Sequence, residues 1–172
     1  MKKVLISLLL ILTIVILNAQ RTQNKVVFDK DVNQKILIGK VDRKAFEKKE
    51  FKKWFFDQYN SYQPNQQTIE KLISFIPSNS KITIVMATWC SDSRREVPRF
   101  FKILDAIAFS SDNVTIYCVN KKFQAGKEKI DVFQIKKVPT FIYFHYDYEA
   151  GRIIETPEES LEEDLLKFTQ RK

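Results

Sequence analysis

The rhythm of apolar and polar positions changes several times along the chain, and each rhythm predicts an element. Val4 to Leu17 is an uncharged apolar run broken only by Ser7 and Thr13. Residues 20–34 are polar and mixed, a loosely held lead-in with Val26 to Phe28 extended. Lys35 to Val41 reads as one short strand. From Asp42 the pattern turns helical, with Phe46, Phe51, Trp54, Phe55, Tyr59 and Tyr62 recurring at helical spacing. Pro64 and Asn65 interrupt it, and a second short helix is expected from Gln66 to Ile76, with Ile69, Leu72, Ile73 and Ile76 on one side.

Lys81 to Thr88 is apolar on both alternations, as in strands covered on both faces by other layers. After Trp89 and Cys90, the spacing of Val97, Phe100, Phe101, Leu104, Ile107 and Ala108 predicts an amphipathic helix. Asn113 to Val119 and Phe141 to Tyr146 read as further strands. Between them, the basic run from Lys127 to Lys137 is interleaved with Ile130, Val132, Phe133 and Ile135, which suggests a short solvated helix. A turn near Ala150-Gly151 should lead to a fourth strand at Arg152 to Glu155. Thr156-Pro157-Glu158-Glu159 combines a capping box with proline in the first turn and marks a last helix, with Leu161, Leu165 and Phe168 facing inward. This order predicts an α/β sandwich with a mixed sheet, preceded by a helical extension, in a single domain over residues 35–172.

The apolar run at the N-terminus is a separate device. Lys2 and Lys3 precede it, and Asn18, Ala19 and Gln20 end it, the layout of a secretory signal peptide over residues 1–19. It is short for a membrane span, which needs about 20 apolar residues. A retained anchor is the alternative; with either, the remainder is expected outside the cytoplasm, periplasmic or secreted, touching a membrane only through an uncleaved leader.

Composition adds limits. With 172 residues, 44% hydrophobic, 14 Phe and only 3 Gly, the chain can bury a sizeable core and is neither disordered nor fibrous. The formal charge is +8, but the basic residues are spread along the sequence, so nucleic acid is not an expected partner. The only His, His145, stands with Asp147 and Glu149 at alternating positions, a weak metal pattern running into a turn. No phosphate-binding glycine loop, Ser/His/Asp set or paired catalytic carboxylates are discernible, and no cofactor or metal is expected.

Two cysteines remain, Cys90 and Cys118. In an exported chain the default is one structural disulfide. Cys118, however, alternates with Val114 and Ile116 inside a strand and reads as a buried free thiol. Cys90 follows a buried strand and opens a helix, where unpaired N–H groups and the dipole favour a thiolate. Arg94 and Arg95 should act in the same direction, and Asp92 should oppose them. Cys90 is therefore a candidate nucleophile, against the alternative of an inert, half-buried cysteine.

Trp89-Cys90-Ser91-Asp92-Ser93 resembles the thioredoxin active-site motif with its second cysteine replaced by serine. Pro98 matches the proline inside the family's first active-site helix, and Val138-Pro139-Thr140 resembles its cis-proline loop. The resemblance covers about residues 81–168 and implies a thioredoxin-like three-layer sandwich. It also implies that Cys90 attacks a substrate disulfide, that Trp89 covers one side of the site, and that Val138, Pro139 and Thr140 form the substrate-binding loop, with Pro139 cis. The partner would be a protein or small-molecule thiol or disulfide.

Two departures narrow this expectation. Ser93 stands where the family carries its resolving thiol, and a hydroxyl cannot expel the substrate sulfur at neutral pH. Ser93 is expected either to hydrogen-bond the Cys90 thiolate or to be an ordinary polar residue of the first helical turn. Ile84 lies where thioredoxins often carry a buried acid. The expectation is therefore monothiol exchange or isomerisation through Cys90. A binding module using the cis-proline groove is the main alternative, and a monothiol iron–sulfur carrier fits an exported chain poorly.

Overall fold

The structure is a computed structural model that describes residues 24–170; the signal segment expected over residues 1–19 lies outside the described residues. A hairpin opens it, β1 (Val26–Asp29) paired antiparallel with β2 (Gln34–Leu37). The described part of the lead-in is therefore not loose, because Val26–Asp29 and Gln34 pair in this hairpin. The single strand expected over residues 35–41 is also two: β2 stays with β1, and β3 (Gly39–Val41) joins the main sheet by pairing antiparallel with Ile116, Tyr117 and Cys118. Gly39, at φ +88°, lets the chain change sheets there, a conformation L side chains rarely adopt.

A 3₁₀ turn at Arg43–Glu47 precedes α1 (Lys49–Ser61), followed by α2 (Gln66–Phe75), which Asn65 caps through its side chain. Then come β4 (Ser80–Met86), α3 (Ser91–Ala106), β5 (Val114–Cys118), β6 (Thr140–His145), β7 (Tyr148–Ile154) and α4 (Leu161–Thr169). The five-stranded sheet has the order β3-β5-β4-β6-β7, with β4 and β5 parallel and the other neighbours antiparallel. A parallel pair joined through a helix, followed by a hairpin and a terminal helix, is the thioredoxin-like α/β sandwich. Among the described residues no helix is long and apolar enough to cross a membrane.

The double alternation of β4 divides the protein. Ile82, Ile84 and Met86 enter a large cluster with Phe55, Phe100, Phe101, Leu165 and Phe168 from the helices. Val85 and Ala87 point the other way, into a small cluster with Val119, Ala125, Ile130 and Val138. That second face is covered by the connector between β5 and β6. The helix expected over residues 127–137 is replaced there by one 3₁₀ turn at Asp131–Phe133, ended by Gln134 in the left-handed region.

Two further boundaries differ from expectation. The turn before β7 lies at Tyr146 and Asp147, and β7 continues through Gly151 with a register shift at Ala150. Gly151 is there for space, since a Cβ would come within 2.2 Å of the Phe168 ring. The last helix starts four residues late, because Ser160 rather than Thr156 is the cap and accepts from Glu163 N–H. The Glu163 carboxylate accepts from the Thr68 hydroxyl on α2 instead of returning to its own cap. Buried Asp164 accepts from the N–H groups of Glu158 and Glu159 and so holds the expected capping box as an irregular turn.

Candidate functional site

The site lies where β4 ends and α3 begins. Cys90 is the N-cap residue of α3, extended at φ −85° and ψ 130°, and Pro98 sits inside that helix. Cys90 N–H donates to Ala87 O and Arg94 N–H donates to Cys90 O, which closes the first turn. The thiol does not fold back onto the first-turn N–H groups. It donates outward to Val138 O, at 3.2 Å. The Val138–Pro139 peptide bond is cis. Thr140 Oγ1 donates to Lys137 O and Glu155 N–H donates to Pro139 O, which brace the loop from both sides.

The structure thus brings Trp89, Cys90, Val138, Pro139 and Thr140 together. Cys90 is partly exposed, while Val138, Pro139 and Thr140 are buried. Trp89 packs against the small cluster, its Nε1–H donating to Val119 O at 3.0 Å, with the Lys121 ammonium 4.8 Å from its ring centroid.

Ser93 stands apart from this group. It is fully buried, and its hydroxyl oxygen accepts from Ala87 N–H at 3.2 Å. Its role here is to satisfy a buried donor at the end of β4, not to hydrogen-bond the thiol. The two arginines are also engaged elsewhere. Arg95 pairs with Asp92 and Glu96. Arg94 donates to Thr88 O at 2.6 Å and to the Gln34 side chain at 3.1 Å, beneath the Trp54 ring system. Arg94 is a tie between the hairpin and the loop before Cys90.

That tie, and the acceptance by Thr88 Oγ1 of a hydrogen bond from Leu37 N–H, escaped the sequence reading. Nothing in the polar stretch around Gln34 signals a contact 60 residues away. Ile84 is fully buried and apolar, so no carboxylate replaces it from β4.

Cys118 is free and fully buried, and burial pushes its thiol far above the ordinary range. It ends β5 beside Met86, at the same end of the sheet as Cys90. Both cysteines are free, and no disulfide joins them. His145 packs on Tyr146, and among the described residues no group of His, Cys, Asp and Glu has the arrangement of a metal site.

No known family profile matches the chain, and no curated protein matches it. Among solved structures it is similar to the thioredoxin Mala s 13 of Malassezia sympodialis, at 22% identity over 55% of this chain and 76% of that one, with a TM-score of 0.37. The fold assignment stands on this chain's own strand order and helix placement.

Proposed function

We propose that the protein exchanges thiols and disulfides through the single thiol of Cys90, in a compartment outside the cytoplasm. The observation that carries this reading is a partly exposed thiol at the start of α3, held against the carbonyl of a cis Val138–Pro139 loop. In the reaction the Cys90 sulfur attacks one sulfur of a substrate disulfide. A new S–S bond forms, the substrate bond breaks, and the other sulfur leaves as a thiolate that takes up a proton. With Ser93 buried and bonded to Ala87, release requires a second thiol supplied from outside the chain. Val138, Pro139 and Thr140 would align an extended substrate segment, and Trp89 would shield one side of the mixed disulfide.

A second reading has its own support. The thiol donates to a protein carbonyl and has no resolving partner beside it, which suits a binding module in which Cys90 is incidental. Intact-mass analysis separates the two. A peptide disulfide should add one peptide thiol at Cys90, released by excess small thiol and absent in Cys90→Ala. If a small alkylating reagent labels Cys90 in the folded protein but the peptide disulfide adds nothing, the exchange reading falls and the binding module stands. The form expected outside the cytoplasm begins at Gln20; a chain kept in the cytoplasm with its leader would remove the compartment from the reading.

A further inference from the structure

The connector between β5 and β6 carries a charge pattern that the exchange chemistry leaves unused. It holds six lysines, Lys121, Lys122, Lys127, Lys129, Lys136 and Lys137, against Glu128 and Asp131. All six lysines are exposed. Lys137 pairs with Glu155, and the other five make no ion pair with any described residue.

Both ends of this connector are pinned at the thiol. At one end Trp89 donates to Val119 O, and the Lys121 ammonium stands over the Trp89 ring, one residue from Cys90. At the other, Cys90 donates to Val138 O, two residues beyond Lys136. Between the ends lies a cavity of about 500 Å³ whose lining includes Lys122, Lys127 and Lys129 together with Phe123, Ala125 and Ile130. Ala125 and Ile130 belong to the cluster on which Trp89 and Cys90 pack, and Phe123 packs against the same cluster. The carboxylates nearest in sequence offer no balance, because Asp92 and Glu96 are already paired with Arg95. Lysines without a carboxylate partner therefore flank both points where the connector meets the thiol.

We propose that this lysine rim selects disulfides carried in acidic peptide segments; the inference rests on the exchange reading of Cys90. Lysines placed around a docking groove raise the encounter rate of an oppositely charged partner and set its orientation. A peptide fits better than a nucleic acid. Val132, 76% exposed among the lysines, offers an apolar contact that a peptide side chain can meet and a phosphate backbone cannot. The lysines take no part in bond making: the Cys90 thiol gives up its proton to solvent, its sulfur displaces one substrate sulfur, and that sulfur departs as a thiolate.

Three peptides of one length test this, each with a single cysteine linked to thionitrobenzoate and flanked by Asp, Asn or Lys. Release of the coloured thiolate is followed with the native protein, and each rate is divided by that of the same peptide with mercaptoethanol, which removes intrinsic differences in disulfide reactivity. The Asp-flanked peptide should react about tenfold faster than the Asn-flanked one at low salt, and the Lys-flanked peptide slowest. The three should converge near about 1 M salt, where screening acts over about 3 Å. A Lys121→Gln, Lys136→Gln double variant should narrow the Asp-to-Asn ratio, and Lys121→Arg should keep it. Equal normalised rates for all three peptides overturn the inference while leaving exchange intact. No release from any peptide sinks exchange itself. Loss of the Asp preference on adding a stoichiometric single-stranded oligonucleotide at physiological salt would assign the rim to nucleic acid and overturn the peptide proposal.

Discussion

The two faces of the central sheet are built in opposite ways. On one, Ile82, Ile84 and Met86 of β4 meet a layer of helices rich in phenylalanine, and Phe100 lies 4.5 Å, ring centre to ring centre, from Phe141 of β6. On the other, Val85 and Ala87 meet only four further buried side chains, beneath a connector with one 3₁₀ turn. Cys90, the cis-proline loop and the lysines without ion pairs all belong to the thin face. Cohesion and chemistry are separated by the thickness of one strand, so the thin face can vary in its side chains at small cost to the fold.

The largest effect that this comparison predicts comes from the thick face. Phe100→Ala should lower unfolding stability by about 3–5 kcal/mol in denaturant titration, since a fully buried ring is lost and the helix layer cannot collapse into the space. Val138→Ala, on the thin face, should cost about 1.5 kcal/mol in the same assay, in proportion to the methyl groups removed. Equal losses in the two variants would erase the distinction between the faces.

The smallest effect lies at the rim of the helix layer and depends on pH. Asp105 ends α3 and accepts two hydrogen bonds from Arg43, both 2.7 Å, and one from the Tyr59 hydroxyl at 2.6 Å. Burial alone would raise its pKa, but the bonds from Arg43 and Tyr59 outweigh burial and hold the carboxyl below its usual range. A carboxyl with a lowered folded-state pKa contributes stability above its unfolded value, near about 3.9, and loses it as pH falls through the folded value. The Asp105 side chain is 41% exposed, so solvent screens the pair and about 0.5–1 kcal/mol is expected. Asp105→Asn should therefore lower stability by that amount at pH 7 and make little difference at pH 2. A loss at pH 2 as large as that at pH 7 would show that packing, not charge, matters there.

The sequence made the thick face legible and the thin face much less so. Runs such as Lys81–Thr88 and the Phe100, Phe101, Leu104 spacing of α3 announce their burial directly, because periodicity records which side of an element is covered. The connector had Ile130, Phe133 and Ile135 interleaved in a basic run, yet all three pack in or against the small cluster while the backbone stays irregular. Gly151 resembled a turn signal but marks the place where Phe168 needs room. Thr156 heads the capping pattern read from the sequence, but Ser160 caps the helix, and Asp164 holds the intervening N–H groups in a turn. At the site, Cys90 and the Val138-Pro139 loop could be paired by resemblance. The bond from Ala87 to Ser93, and the tie from Arg94 to Gln34, depend on tertiary geometry that no local pattern encodes.

Cys118, sealed between β3 and β4, gives the protein a built-in gauge of its own opening. With Cys90 at the surface, a thiol reagent should count one group in the native chain and two once the sheet separates. Because Cys118 sits in the interior of the sheet, its labelling rate follows the fraction of molecules in which the whole domain has come apart, while the fast-reacting thiol registers only local access. Each molecule thereby carries both a probe and its reference, and the effect of any substitution on either face can be read from the ratio of two labelling rates without an added dye.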